Sequence, residues 1–185
     1  MSSRRAIFLD RDGVINVNRA DHVKSWDEFV FLPGTLDALR DLAASEFVLV
    51  VTTNQAGIAR GMMDEATVHE IHARMKETIV QAGGRLDAIY FCPHRPEDVC
   101  ECRKPQPGMY LDAARVLDLD PTRSYVVGDA QADVDAARAI GAQGILVLTG
   151  RGREQYAKMR GQDDFIVAEN LARAVEWIWQ REARR

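Results

Sequence analysis

Apolar residues along this chain fall in short unbroken runs, separated by longer stretches in which they recur every three or four positions. The runs are Ile7-Phe8-Leu9, Phe47-Val48-Leu49-Val50-Val51-Thr52, Leu86 to Phe91, Tyr125-Val126-Val127 and Gly144-Ile145-Leu146-Val147-Leu148. Runs without polar alternation predict strands covered on both faces, as in a parallel sheet. Between them, Leu36, Leu39 and Leu42 predict a helix of about ten residues after Pro33-Gly34. Val68, Ile71, Met75 and Ile79 predict a longer helix over 64–82 that opens at Asp64-Glu65 and stops at Gly83-Gly84. Pro107 opens a helix carrying Leu111, Ala114 and Leu117, Gln131 to Ile140 form a short one closed by Gly141, and Leu171, Val175 and Trp179 mark a docking helix at the end. Strands alternating with helices give an α/β fold, a doubly wound parallel sheet with helices on both faces. Residues 16–33 read as a loop pinned by Trp26, Phe29 and Phe31, and residues 150–163 as a polar, mobile segment.

Length and charge narrow this picture. With 185 residues, one domain over residues 1–185 has a proper core, whereas two would each be small. The stretch between the first two strands is taken up by one loop and one helix, which leaves no room for a cap domain. A net charge of −4 gives no basic excess for nucleic acid, so any anion-binding site must concentrate its positive charge locally. No apolar run approaches the roughly 20 residues that span a bilayer. Met1-Ser2-Ser3-Arg4-Arg5 leads directly into the first strand without a signal-peptide core, so a cytoplasmic protein without membrane partners is expected. The basic tail, Arg181, Arg184 and Arg185, complements the dipole of the last helix.

The chemistry gathers at the strand ends. After Leu9 the chain reads Asp10-Arg11-Asp12-Gly13, and in an extended tip residues two apart project to one side, so Asp10 and Asp12 can face one ligand. Close carboxylates repel unless a cation or a shared proton joins them, an arrangement suited to a metal-assisted carboxylate nucleophile with a second carboxyl group that carries a proton. The alternative is a surface turn with solvated acids. Other strand ends supply Thr53, Asn54 and Gln55, and Gly128-Asp129, while Lys104 stands in a loop before a helix. A nucleophile, metal carboxylates, a hydroxyl and an ammonium group are what phosphoryl transfer requires, because its transition state spreads negative charge over three oxygens.

A second constellation is Cys92-Pro93-His94 followed by Cys100-Glu101-Cys102. Three thiolates and an imidazole satisfy tetrahedral Zn²⁺ with no open position, which argues for a structural site. The alternative is three buried free thiols beside a surface histidine. With every cysteine inside this segment, no disulfide can join distant parts of the chain. His69 and His72, on the long helix, read as its polar flank.

In this order the motifs resemble the haloacid-dehalogenase superfamily of phosphohydrolases: Asp10-Arg11-Asp12-Gly13, Thr53, Lys104, and Gly128-Asp129 with Asp133 beyond. The resemblance implies a Rossmann-like sheet of about five or six strands. It makes Asp10 the nucleophile that becomes an aspartyl phosphate, and Asp12 the group that protonates the leaving oxygen and then activates water. It also implies Mg²⁺ held by Asp10, the Asp12 carbonyl and Asp129, with Asp133 supporting them from behind, and Thr53 and Lys104 on the phosphoryl oxygens. Proton donation near neutral pH requires the Asp12 pKa to lie above its free value of about 3.9. The Cys/His loop, with Arg103-Lys104-Pro105, is similar to the branch that holds D-glycero-D-manno-heptose 1,7-bisphosphate 7-phosphatases and histidinol-phosphate phosphatases. Pro107-Gly108-Met109 and the segment from Thr53 to Gly61 stand nearer the heptose enzymes. Two places depart from them: Asn18-Arg19-Ala20-Asp21-His22, where a Gly-Tyr pair is frequent, and Ala130, where a lysine commonly follows the motif aspartate. The expected protein is a monomeric Mg²⁺-dependent phosphatase of a small phosphorylated sugar. Histidinol phosphate is the alternative substrate, and a non-catalytic zinc-stabilised phosphate-binding module the alternative class.

Overall fold

A computed structural model describes residues 3–184; Met1 and Ser2, in the expected signal-free start, and Arg185, in the basic tail, lie outside them. Within these residues one parallel sheet of six strands is formed by β1 (Ala6–Leu9), β2 (Val48–Asn54), β3 (Ala88–Cys92), β4 (Tyr125–Gly128), β5 (Gln143–Val147) and β6 (Ile166–Ala168). Their order is β3-β2-β1-β4-β5-β6. The chain therefore builds outward from β1 on one side, then crosses back to place β4 against its other edge. That reversal between β1 and β4 is where open α/β sheets leave a crevice for ligands.

Alternate residues of the central strands feed two cores. Ile7, Leu9, Leu49, Val51, Tyr125 and Val127 meet α1 (Thr35–Ala43), α2 (Glu65–Gln81) and α6 (Leu171–Glu182) on one face. Ala6, Phe8, Val48, Val50 and Val126 meet α3 (Gly108–Leu117) and α4 (Gln131–Ala139) on the other. Phe8 packs edge-on against Tyr110 of α3, their centroids 5.1 Å apart. Helix α2 starts as expected, with the Asp64 carboxylate accepting from Thr67 N at 2.8 Å, and buries Val68, Ile71, Met75 and Ile79. No helix among the described residues is long and apolar enough to cross a membrane.

Several boundaries differ from the sequence reading. Strand β2 runs on through Asn54, because Thr53 and Asn54 still pair with Phe91 and Cys92. Helix α3 turns Met109, Tyr110 and Ala113 inward and leaves Leu111 half exposed, so its buried stripe is rotated from the expected one. The segment 150–163, expected to be mobile, contains α5 (Gly152–Lys158) and the fully buried Met159. A side chain at 152 would lie 1.8 Å from the Val147 carbonyl, so glycine lets this helix start close against the sheet. The edge strand β6 that follows has three residues, too few for a periodic signal. The 16–33 loop is pinned as expected, with Trp26 stacked on Phe29 at 5.0 Å and Phe31 edge-on to Phe29 at 5.0 Å.

Candidate active site

Strand β1 keeps its extended course as far as Asp10, whose N–H still donates to Val127 O. Beyond it the chain winds into a turn in which the N–H groups of Ile15 and Asn16 donate to Arg11 O, at 2.8 and 3.1 Å. Gly13 permits that turn with φ +91°, and a Cβ there would fall 2.1 Å from Asp129 Oδ2. Asp10 and Asp12 both border one cavity, as expected, but the turn gives their carboxylates different partners. Each has its own environment.

Asp10 sits in a buried charge cluster. Its Oδ1 accepts from Arg11 N at 2.7 Å and pairs with Lys104 Nζ at 2.9 Å. Lys104 also reaches Asp133 Oδ1 at 2.6 Å and Thr52 O at 2.9 Å. The second Asp133 oxygen accepts from Ala130 N, so both of its oxygens are engaged. Asp129, entirely buried at the end of β4, accepts from Arg151 N through Oδ2 at 2.8 Å, and its Oδ1 has no hydrogen-bond partner. Carboxylate oxygens of Asp10, Asp129 and Asp133 lie within 4.8 Å of one another.

One buried ammonium against three buried carboxylates leaves a negative excess. Burial, followed by the charges of Asp133 and Asp12 and opposed by Lys104, pushes Asp10 up to about 6. Burial, with Asp10 and Asp133 beside it, pushes Asp129 up to about 7. A hard divalent cation with oxygen ligands fits both the excess charge and the orphaned Asp129 oxygen. Both carboxyls have folded pKa values above the ordinary 3.8. Their contribution to stability is therefore complete below that value and lost as pH rises through about 6 to 7. A bound cation removes that loss, so the rise in Tm on adding Mg²⁺ is expected to be larger at pH 8 than at pH 5.5. The difference with and without Mg²⁺ is the quantity to measure, because His72 shifts the bare Tm in the opposite sense; a Mg²⁺ effect independent of pH would contradict this assignment.

Asp12 is held on the other side of the turn. Its Oδ2 accepts from Arg11 Nη2 at 2.9 Å, Arg11 Nε at 3.2 Å and Gln55 Nε2 at 2.9 Å, and its Oδ1 from Asn16 Nδ2 at 2.9 Å. Burial would raise its pKa, but the Arg11 charge and these donors outweigh burial and lower it. This corrects the expectation of a raised value, which considered desolvation without the arginine next to it. Arg11 Nη1 meets His72 Nε2 at 3.1 Å. His72 is therefore not part of a polar flank: it is 5% exposed, and burial together with the Arg11 cation holds it at about 3. His69 does lie on the exposed flank.

Over this floor lies a cavity of about 360 Å³ bordered by Asp10, Asp12, Thr53, Asn54, Arg103 and Lys104. Gln55 does not border it; its amide is spent on Asp12, Thr53 Oγ1 and Arg11. Asn54 faces the cavity while clamping the Lys104 backbone, donating to Lys104 O at 3.2 Å and accepting from Lys104 N at 3.1 Å. Ala130 lies in the wall, as do Arg19, Arg60 and Arg151, which the sequence reading left unassigned. Arg60 and Arg151 each follow a strand's carboxyl end by a few residues, and that position was the available signal.

Beside β3, Cys92, His94, Cys100 and Cys102 converge with all ligand atoms within 4.8 Å. Sulfur separations of 3.8 Å for Cys92–Cys100 and 3.7 Å for Cys100–Cys102 match the edge of a tetrahedron with bonds of about 2.3 Å, while Cys92–Cys102 is shorter, at 2.9 Å. Burial and the Cys102 sulfur push the Cys92 thiol up, so a thiolate there requires a cation. The free-thiol alternative had placed the histidine at the surface, away from the sulfurs. Instead His94 Nδ1 lies 3.3 Å from Cys102 Sγ, and Arg103 Nη1 donates to His94 O at 2.9 Å, tying the arginine to the cluster.

Comparison with known proteins finds the chain similar to phosphatases over nearly its whole length. The HAD-hydrolase-like family model matches residues 101–174. D-glycero-β-D-manno-heptose-1,7-bisphosphate 7-phosphatase of Bordetella bronchiseptica is 44% identical over 176 residues, covering 95% of this chain and 98% of the relative. The enzyme of that name from Escherichia coli is 45% identical over 155 residues, 79% of this chain and 80% of the relative. The crystal structure of the B. bronchiseptica D,D-heptose 1,7-bisphosphate phosphatase, complexed with magnesium and phosphate, superposes with a TM-score of 0.91 and covers 96% of this chain and 99% of that one. The phosphatase from Burkholderia thailandensis, 35% identical, superposes with a TM-score of 0.74 over 95% of this chain and 99% of that one.

Proposed function

Since the chain belongs to the haloacid-dehalogenase-like hydrolases, in the branch of the heptose-bisphosphate 7-phosphatases, we propose that it is a Mg²⁺-dependent cytoplasmic phosphatase that removes the 7-phosphate of D-glycero-D-manno-heptose 1,7-bisphosphate. In this reading it acts as a single-domain monomer, one chain supplying a full set of the groups the reaction needs. The observation that carries the substrate class is the charge arrangement. One buried cation, Lys104, serves the reacting phosphoryl group, and Arg19, Arg60, Arg103 and Arg151 stand around the mouth in a chain whose net charge is −4. A second phosphate fits that mouth, whereas the amine of histidinol phosphate would meet like charge.

The Asp10 carboxylate, fixed by Arg11 N and Lys104, attacks the phosphorus, and the bond from phosphorus to the C7 oxygen breaks. Asp12 gives that oxygen its proton. Asp12 then takes a proton from water, which attacks the aspartyl phosphate and releases inorganic phosphate, restoring Asp10. Held ionised by Arg11, Asn16 and Gln55, Asp12 acquires a proton from solvent when the substrate's phosphate brings further negative charge against it. Mg²⁺, held by Asp10, Asp129 and the Asp12 carbonyl with Asp133 behind them, supplies charge balance between nucleophile and phosphoryl group when bound. Thr53 and Lys104 hold phosphoryl oxygens, with Asn54 and Gln55 keeping Lys104 and Asp12 in place.

Steady-state kinetics with both candidate substrates test this reading. We expect kcat/KM for the heptose bisphosphate to exceed that for histidinol phosphate, with Arg103→Ala costing the bisphosphate about tenfold or more and histidinol phosphate little. Equal or reversed efficiencies would overturn the heptose assignment. The Cys/His cluster is proposed as a structural Zn²⁺ site that fixes Arg103 through the His94 carbonyl. Metal analysis should find about one zinc per chain, and Cys100→Ser or Cys102→Ser should raise KM several-fold more than they alter Mg²⁺ half-saturation. Zinc-free protein with three freely titratable thiols would contradict it.

A further inference from the structure

Helix α2 reaches the floor of the site through His72. His72 Nε2 faces Arg11 Nη1 at 3.1 Å, and the remaining N–H groups of the guanidinium that have partners go to both oxygens of Asp12 and to Gln55 Oε1. Arg11 is completely buried. A guanidinium cannot shed its charge, and a buried one is costly unless its donors are met. At Nη1 that requirement selects a neutral acceptor, because a second cation there would repel it and a second anion would compete with Asp12 for its charge. Neutral imidazole with its proton on Nδ1 offers such an acceptor. The ring is itself held by Phe91, edge-on at 5.6 Å. Without an acceptor at that point, Arg11 could relieve its unmet donor only by turning away from its fork on Asp12.

We propose that His72 is a positioning residue for the phosphatase reaction: by accepting from Arg11 it holds the guanidinium in the rotation that grips Asp12, and so fixes the acid–base carboxylate relative to the leaving oxygen. This rests on the reading of Asp12 as the acid–base group, which binding data alone would not require. Displacing a reacting group by about 1 Å can cost on the order of 10²-fold in rate.

The test uses the Mg²⁺-loaded full chain and two substrates: heptose 1,7-bisphosphate, whose alkoxide must be protonated as it leaves, and p-nitrophenyl phosphate, whose phenolate leaves without a proton. His72→Leu is expected to lower the single-turnover rate of leaving-group release from the bisphosphate by about 10²-fold, with KM and Mg²⁺ half-saturation unchanged and a much smaller loss in that step on the aryl ester, the later hydrolysis of the aspartyl phosphate being common to both. His72→Gln, which restores a neutral acceptor near the same point, should recover most of the rate. Equal loss in leaving-group release on both substrates, or a glutamine variant no better than leucine in that step, would overturn the proposal; the same step is the readout for every variant. Asp12→Asn, run alongside, separates the two levels. If it discriminates between the substrates and His72→Leu does not, His72 has no positioning role; if it too fails to discriminate, the acid–base reading of Asp12 falls and this proposal with it. Should His72→Leu not fold, ¹⁵N NMR of the unmodified protein at pH 7 decides: an unprotonated Nε2 is expected, and a protonated one overturns the proposal.

Discussion

Asp10→Asn is expected to abolish turnover, by on the order of 10⁴-fold or more, while leaving the fold and the zinc content intact. An amide is isosteric with the carboxylate but is no substitute as a nucleophile toward phosphorus. The fold should tolerate the change because Asp10 is held against repulsion, being pushed up to about 6 by burial and by Asp133 and Asp12. Removing its charge still leaves Lys104 paired with Asp133 at 2.6 Å. In the absence of Mg²⁺ the variant should therefore melt no lower than the unmodified protein, and it should respond less to added Mg²⁺. Single-turnover assays with acid quench and thermal melts read the two halves of this expectation. Substantial residual hydrolysis would rule out an aspartyl phosphate on Asp10.

Lys104→Met should be damaging in both respects. Its ammonium is the interior counter-charge of Asp10 and Asp133 and also donates to Thr52 O, with all the participants buried. Breaking a buried ion pair by removing one partner costs about 3–5 kcal/mol, which for a protein of this size is a fall in Tm of the order of 10 °C. Mg²⁺ should restore part of the loss, since it offsets the same carboxylates. Activity should fall by about 10²- to 10³-fold even in the folded, Mg²⁺-loaded variant, because a preorganised positive group on the transferring phosphoryl oxygens is gone. Calorimetry with and without Mg²⁺, paired with kcat, provides the check. An unchanged Tm would mean that Lys104 does not carry this charge balance.

The sheet was legible because its central strands carry no polar residue until their tips, and the tips are where Asp10, Thr53 and Asp129 stand. Lys104 was legible as part of the basic pair Arg103-Lys104 beside a candidate loop, whereas Asp133 was legible only through the resemblance of Gly128-Asp129 with Asp133 beyond it. Elements whose signal lies in packing rather than periodicity escaped: α5 anchors by the buried Met159, and β6 has one face of Val167 in solvent. At the site, the identity of Asp12 was readable but its environment was not. Gln55 reads as a strand-tip amide for the ligand and His72 as a surface imidazole until the end of β2 and α2 bring them against Arg11, which no local pattern announces. The rim arginines were hidden for a related reason, because a charge on a loop reads as solvated unless the loops are seen to share one mouth.

The position of β1 has a consequence for synthesis on the ribosome. Its N-terminal side is reached early by β2, but its other edge pairs with β4, and the Ala6 N–H bond to Ser124 Oγ spans 118 residues. The Thr149 hydroxyl that closes on the Gly13 carbonyl spans 136. At translation speeds of about 5–20 residues per second, a nascent chain therefore carries β1 with one open edge for several seconds before its partner emerges. During that interval Asp10 has neither Asp129 nor Asp133 beside it, so the carboxylate cluster cannot form on the unfinished chain. Pairings at so large a sequence separation are slow to close, and until β4 arrives the open edge of β1 is a place where the chain can pair wrongly.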